Sequence, residues 1–398
     1  MTEIKQPKIR FKGYINNWEQ RKLLDYIENV LDYRGKSPTK FGLNWGTEGY
    51  LVLSALNVKD GYIDKSIEAK YGSQELFEKW MGERRLSKGD VVFTTEAPLG
   101  NVAQIPDNNG YILNQRVIAF KTKPNVLDDN FLAQLLRSPL FKYNLLSNSS
   151  GGTAKGIGIK EFAKLTANIT EDVEEQTKIG EFFKTLDETI TLHQQKLEVT
   201  KQFKQTMLKK MFPKNGETTP EIRFKGFTDD WEECKLGDKI IIERGNLPSK
   251  TSEIDGKYPF FNTGSKKLYS NKYNFDYQHQ VIVSGHGSVG NISNAYGKIG
   301  VSDGCYVLTS DNLNMYFLFI ISEKYLSNHL NRMKTGTIIS HTSKSDVYNC
   351  NIVLPKLNRE MFLIAEYFRD MDCKITNLQN KVIQYEELKK NMLRKLYI

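Results

Sequence analysis

The feature that most constrains this chain is an internal repeat. Pro7-Lys-Ile-Arg-Phe-Lys-Gly13, continuing to Trp18-Glu19 and Lys22-Leu23, recurs as Pro220-Glu-Ile-Arg-Phe-Lys-Gly226, continuing to Trp231-Glu232 and Lys235-Leu236. Near-identity over such a stretch marks a duplicated unit and sets the architecture before local propensities are weighed. A weaker echo runs through the middle: Gly100-Asn101-Val102 answers Gly290-Asn291-Ile292, and Gly152-Thr153 answers Gly336-Thr337. The ends agree again, with Ile179, Glu181, Phe183, Asp187 and Ile190 paired to Ile364, Glu366, Phe368, Asp372 and Ile375. The interval between counterparts shrinks along the chain, so the first copy carries extra residues in its middle. Shared ends suggest a common scaffold and divergent middles suggest two surfaces with different targets. Duplication followed by loop drift gives the same pattern.

Residues 172–212 contain no proline and only one glycine, Gly180, and are rich in Glu, Lys, Gln and Leu, a composition that favours helix. Ile179, Phe183, Leu186, Ile190, His193, Leu197, Thr200, Lys204, Met207 and Met211 follow an alternating four–three spacing. The same spacing in the second copy gives Ile364, Phe368, Met371, Ile375, Leu378, Val382, Tyr385, Lys389, Met392 and Leu396. This is the heptad signature of helices that meet along a narrow seam. Each stretch would run roughly 55–60 Å at about 1.5 Å per residue. Two equivalent seams predict an antiparallel coiled coil; two ordinary core helices are the alternative, which the length and matched seams disfavour.

The middles read as mixed α/β (α+β). Tyr50–Leu53, Val91–Thr94, Ile112–Val117, Tyr258–Phe261, Val281–Ser284 and Val301–Leu308 are predicted strands, and helices are expected at Asn130–Leu136 and Leu313–Lys334. The expected domains are therefore a first reader at 1–171, a helix at 172–212, a linker at 213–219, a second reader at 220–357 and a helix at 358–398. The net charge of +9 favours an anionic partner, nucleic acid foremost. Candidate DNA contacts in the first reader are Arg34, Lys36, Asn114, Gln115, Arg116, Lys155 and Lys160. In the second they are Arg244, Lys250, Lys266, Lys267, His286, Ser288, Arg332, Lys334, His341 and Lys344. Arg and Lys bridge guanine edges or phosphates and Asn and Gln bridge adenine, so these are the residue types that base readout needs. Each alone also fits a solvated surface.

Catalytic signatures are missing from the sequence. Gly285-His-Gly287-Ser-Val-Gly290 spells a dinucleotide-binding fingerprint, but turn and strand chemistry follows it where a helix is required. There is no GxxxxGK[ST] loop, no Asn-Pro-Pro-Tyr stretch, no HExxH and no nucleophile–base pair, so a non-catalytic chain without a metal site is expected. The four cysteines show no CxxC spacing, which fits a reducing cytoplasm. No charged-then-apolar leader follows Met1, and the longest apolar run, Met315–Ile321, is far too short to span a bilayer, so an intracellular, cytoplasmic protein is expected.

With repeat, seams and missing chemistry together, the sequence resembles the specificity subunit of type I restriction–modification enzymes over essentially its whole length. The resemblance rests on Ile9-Arg-Phe-Lys-Gly13 with Trp18-Glu19 and their second copy, on Asn114-Gln115-Arg116-Val117, on Gly100-Asn101, and on Glu175-Gln-Thr-Lys-Ile179. It rests also on Lys209-Lys-Met-Phe212, echoed by Leu393-Arg-Lys-Leu-Tyr397. It implies two target-recognition domains that each read half of a split DNA site, held by paired helices. It further implies docking of two methyltransferase subunits and of restriction subunits, with S-adenosylmethionine, ATP and magnesium bound by those partners. The second copy departs where Asn-Gln-Arg-Val is matched by Gly304-Cys-Tyr-Val307. A non-enzymatic coiled-coil scaffold that bridges protein partners is the alternative.

Overall fold

The proline-free stretches form two long helices, Val173–Lys210 and Asn358–Leu396, of 38 and 39 residues. The first starts where the Asp172 carboxylate accepts the Glu175 N–H at 3.0 Å, and Glu174 and Glu175 sit against the positive end of its dipole. The computed structural model describes residues 6–67, 69–214, 216–264, 268–333 and 342–397. The chain divides into two compact units, Met1–Gln194 with Asn380–Ile398, and Gln195–Gln379. Each unit thus takes a portion of both helices.

Within each unit the helix portions pair antiparallel. In the first, Lys389 Nζ donates to Asp187 Oδ1 at 2.6 Å, Gln194 Nε2 donates to Glu386 Oε1 at 3.0 Å, and the His193 and Tyr385 rings lie 5.4 Å apart. In the second, Lys204 Nζ donates to Asp372 Oδ2 at 2.8 Å. Lys204 and Lys389 hold equivalent seam positions, and Asp187 and Asp372, beside the seam, are counterparts in the repeat. Each unit therefore contains the same Lys–Asp contact, assembled from opposite helices.

Of the seam residues, Ile179, Phe183, Ile190 and Val382 are buried in the first unit and Ile364, Phe368 and Met371 in the second. Leu186, Leu197, Met207, Ile375 and Leu378 are half-buried. Ile179 and Phe183 also belong to the reader core around Trp18 and Phe131, and Ile364, Phe368 and Met371 to the core around Trp231 and Phe317. The apolar stripe therefore covers reader as well as helix, a distinction that periodicity alone does not carry. Each helix ends on an aromatic plug. Tyr397 meets Trp18 and Phe131 at 5.8 and 5.5 Å, and Phe212 meets Trp231 and Phe317 at 5.6 and 6.3 Å.

The repeated Ile-Arg-Phe-Lys-Gly segment now has a physical cause. Its arginine pairs bidentately with a glutamate in the first turn of the long helix of its own copy: Arg10 with Glu175, and Arg223 with Glu360. Both glutamates are almost fully buried, at 0% and 1% side-chain exposure. The repeated tryptophans, Trp18 and Trp231, are buried in the two reader cores, and the Trp18 indole N–H donates to Glu175 Oε2 at 3.3 Å. Behind them, Glu19–Lys22 pairs antiparallel with Thr166–Ile169, and Glu232–Lys235 with Asn351–Leu354.

Among the described residues the first reader holds a four-stranded antiparallel sheet in the order Ile27–Asp32, Val117–Thr122, Val91–Thr94, Val102–Gln104. A three-stranded sheet lies beside it in the order Tyr71–Gly72, Tyr50–Leu53, Tyr111–Leu113, the last two parallel. In the second reader a six-stranded sheet runs Ile241–Arg244, Cys305–Thr309, Phe275–Ser284, Ile292–Val301, Tyr258–Phe261, Leu268–Ser270. The long strands Phe275–Ser284 and Ile292–Val301 unite there what the first reader keeps as two sheets.

Two predicted strands are each broken in the structure. Ile112–Val117 is the end of Tyr111–Leu113 and the start of Val117–Thr122, in different sheets. The chain turns at Asn114–Arg116, where Val117 N–H donates to Asn114 O at 3.1 Å. Val301–Leu308 breaks likewise at Ser302–Gly304, where Cys305 N–H donates to Ser302 O at 3.0 Å. Apolar runs on both sides hide a three-residue turn from a pattern of alternation. Three helices lie near the expected ones, Asp129–Arg137, Met315–Ile321 and Ser327–Arg332, the last two joined by a π-helical turn at Ser322–Leu326. Gln74–Met81 and Pro139–Ser147 are further helices that the strand-dominated reading omits.

Candidate nucleic-acid interface

Each reader gathers its loops at the edge where its central strands end. In the first, the turn after Val91–Thr94 is closed by Gly100 N–H donating to Thr94 O at 2.9 Å, and Thr95 N–H donates to Arg116 O at 2.9 Å. Ile157 N–H donates to Thr95 O at 3.0 Å, which brings the glycine-rich loop of residues 149–156 alongside. The second reader repeats this frame. Gly290 N–H donates to Ser284 O at 3.3 Å, Gly285 N–H to Gly304 O at 2.9 Å, and Thr342 N–H to Gly285 O at 2.8 Å. Gly100 and Gly290 both adopt positive φ, +87° and +84°, which explains the glycine common to both turns.

These shared bonds correct the correspondence expected from sequence. Asn114-Gln115-Arg116-Val117 is the counterpart of Ser302-Asp303-Gly304-Cys305; the match to Gly304-Cys-Tyr-Val307 is two residues out of register. The valines mislead because they lie in corresponding strands of the two readers, Val117–Thr122 and Cys305–Thr309, where alternating apolar residues make neighbouring registers look alike.

On the first frame stand most of the candidate residues of that reader. Lys36 Nζ donates to Trp80 O at 2.7 Å and lies 4.5 Å from the Tyr33 ring centre, and burial lowers its basicity. Gln115 Nε2 donates to Lys36 O at 2.8 Å. These two side chains tie loop to loop. Asn114 N–H donates to Leu53 O at 2.9 Å, and its side-chain oxygen accepts the Gln115 N–H at 2.8 Å. Arg34 pairs with Asp32, and that hydrogen bond, with a smaller contribution from the charge of Glu96, strengthens its hold on the proton. Arg116 pairs with Glu96 at 2.5 Å, both well exposed. Lys155 is exposed on the glycine-rich loop, whereas exposed Lys160 sits in the short helix Ile159–Phe162. A cleft of about 310 Å³ opens here, lined by Ser54, Leu56, Lys70, Ala97 and Asn114–Arg116.

The second frame carries different chemistry. Arg244 Nε donates back to Asp303 O at 2.8 Å, which pins the turn. His286 and Ser288, both half-buried, occupy the turn between Phe275–Ser284 and Ile292–Val301, the latter a strand. Lys250 is exposed in the turn Ser249–Thr251, Lys344 is exposed at the start of Lys344–Tyr348, and Arg332 is exposed at the end of Ser327–Arg332. Lys266, Lys267, Lys334 and His341 lie outside the described residues. Sequence reasoning overlooked Glu96 and Asp303. The first could have been found from the Gly100/Gly290 match, since it lies in the aligned turn. Among the described residues no helix is long and apolar enough to cross a membrane.

Comparison with known proteins gives a consistent picture. Residues 15–202 and 228–386 each match the type I restriction modification DNA specificity domain. Two curated proteins of Methanocaldococcus jannaschii are similar along nearly the full length. The putative type I restriction enzyme MjaX specificity subunit is 23% identical over 409 residues, covering 96% of this chain and 92% of its own. The type I restriction enzyme MjaVIII specificity subunit is 22% identical over 414 residues, with the same coverage. Among solved structures, the S subunit of a type I restriction-modification system from M. genitalium superposes with a TM-score of 0.70 at 17% identity, covering 99% of both chains. A chain from a study of complex assembly and conformational transition of the type I R-M system gives 0.51 at 20% identity, covering 95% and 97%.

Proposed function

This chain belongs to the type I restriction modification DNA specificity family, and on that premise we propose that it is a sequence-recognition subunit whose two readers each bind one half of a bipartite duplex site. In this reading the paired helices set the spacer between the halves and dock two methyltransferase subunits, with restriction subunits joining the full assembly. The chain itself performs no chemistry. S-adenosylmethionine, ATP and magnesium are ligands of the partners, and the complex works in the cytoplasm.

One observation supports the reading most directly. The same backbone hydrogen bonds recur at the loop-gathering edge of both readers, yet the side chains mounted there differ: Asn114, Gln115 and Arg116 in one, Ser302, Asp303 and Gly304 in the other. A common mount with exchanged contacts is what two unlike half-sites require, because phosphate contacts position a protein while base-edge contacts specify the sequence.

The test is to express the chain with the methyltransferase subunit of its own system and map methylated adenines in the host genome. A split motif with a fixed spacer is the expected result. Salt-dependent, sequence-selective duplex binding by the same complex is expected with it. Methylation at unrelated sequences, with no selective binding, would favour the scaffold alternative.

A further inference from the structure

Resting on the recognition reading above, we propose that Arg116, aimed by Glu96, reads a guanine in the half-site bound by the first reader, and that the second reader has no arginine equivalent to it. The backbone of Arg116 is fixed by its carbonyl, which accepts the Thr95 N–H at 2.9 Å, the bond that Gly304 makes to Gly285 in the other reader. Scaffold thus dictates the main chain at this position in both copies and leaves the side chain free to differ. In the first copy that side chain lines the cleft beside Lys70, Ser54 and Leu56.

The ion pair to Glu96 is not a stability device. Arg116 is 58% exposed and Glu96 45%, and exposed pairs contribute little to folding. What the pair does is hold a planar five-donor fork in one orientation, which lowers the ordering cost of a bidentate contact. Such a fork matches the O6 and N7 acceptors of guanine on the major-groove edge. The neighbouring candidates are committed elsewhere: Lys36 to Trp80 O and the Gln115 amide to Lys36 O.

The second reader carries glycine at the equivalent position, with other side chains packed close to it. A Cβ added to Gly304 would lie 2.4 Å from Thr263 Cγ2 and 3.6 Å from the His286 ring. The Thr263 methyl would have to turn aside to admit an arginine stem, and the chain supplies none there, so this half-site is read by other groups.

The experiment maps methylated motifs for the full complex carrying wild-type chain, Arg116→Ala, Arg116→Lys or Glu96→Gln. Arg116→Ala should relax one G·C position in one half of the motif, with discrimination there falling roughly ten- to hundredfold, while the other half stays intact. Arg116→Lys and Glu96→Gln should each relax the same position to a smaller degree than alanine, the first because a point charge lacks the planar fork and the second because the fork is no longer aimed. An unchanged motif with Arg116→Ala would overturn the proposal, since a phosphate contact carries no sequence information. So would relaxation at an A·T position, or a uniform loss of binding across sequences with a shallower salt dependence. If the wild-type complex yields no split motif, the recognition reading itself fails; if it does and Arg116→Ala leaves the motif unaltered, only the guanine assignment falls.

Discussion

Replacing Arg10 with alanine probes the contact that the sequence repeat encodes. Arg10 is 12% exposed and Glu175 fully buried, with Arg10 Nη2 2.7 Å from Glu175 Oε2 and Trp18 Nε1 3.3 Å from the same oxygen. Alanine leaves a carboxylate in the core with the indole as its remaining close partner. Breaking a buried pair from one side costs about 3–5 kcal/mol. For a unit of this size that is a fall in Tm on the order of 10 °C. Arg223→Ala should cost about the same, because Glu360 is 1% exposed and Arg223 meets it with the same fork, at 2.7 and 2.8 Å. The pair Arg10→Met with Glu175→Leu should recover most of the loss, since apolar groups of similar size remove both desolvation penalties together. Urea and thermal denaturation of the full chain measure all of these. A loss below about 1 kcal/mol for Arg10→Ala would refute the claim that the repeated arginine anchors the helix start.

Other outcomes follow from the same structure. The Tyr397 hydroxyl is buried without a hydrogen-bond partner among the described residues, so Tyr397→Phe, which copies Phe212, should stabilise by about 1 kcal/mol, whereas Tyr397→Ala should cost about 3–5 kcal/mol; denaturation midpoints decide both. Burial, reinforced by the charge of Arg137, pushes Lys389 down to about 8 despite Asp187. The folded chain then gives up this proton before the unfolded one does, so its contribution to stability rises as pH climbs from about 8 towards the unfolded value near 10.4. Wild type should gain on Lys389→Met across that interval, and parallel Tm curves would contradict the assignment. Deleting about four residues, one turn, from one long helix should shift the tolerated spacer of the methylated motif while both half-sites persist. Exchanging residues 220–357 for those of a relative should alter one half of the motif only; a change in both halves would reject modular reading.

The duplication, the two long helices and the mixed character of the readers were legible in the sequence because each writes a local or periodic record. Proline-free heptads specify helix wherever they lie, and near-identical ends specify a common scaffold. Lys204 and Lys389 could even be paired by position alone. Their partners could not: Asp187 and Asp372 are distant in sequence from the lysines they hold, and only antiparallel packing brings each pair together. The same limit hid the Arg10–Glu175 and Arg223–Glu360 pairs, whose members lie at opposite ends of a reader. It also hid the true register of the Asn114–Arg116 turn, because strand residues recur every second position and only the hydrogen bonds from Thr95 and Gly285 select among neighbours. Composition supplied the candidate contacts, yet tertiary structure divided them: Lys36 and Gln115 serve the loops, while Arg116 is presented to the cleft. Charge and residue type are properties of a side chain by itself, but whether its donors are already occupied depends on which distant backbone the fold brings within reach.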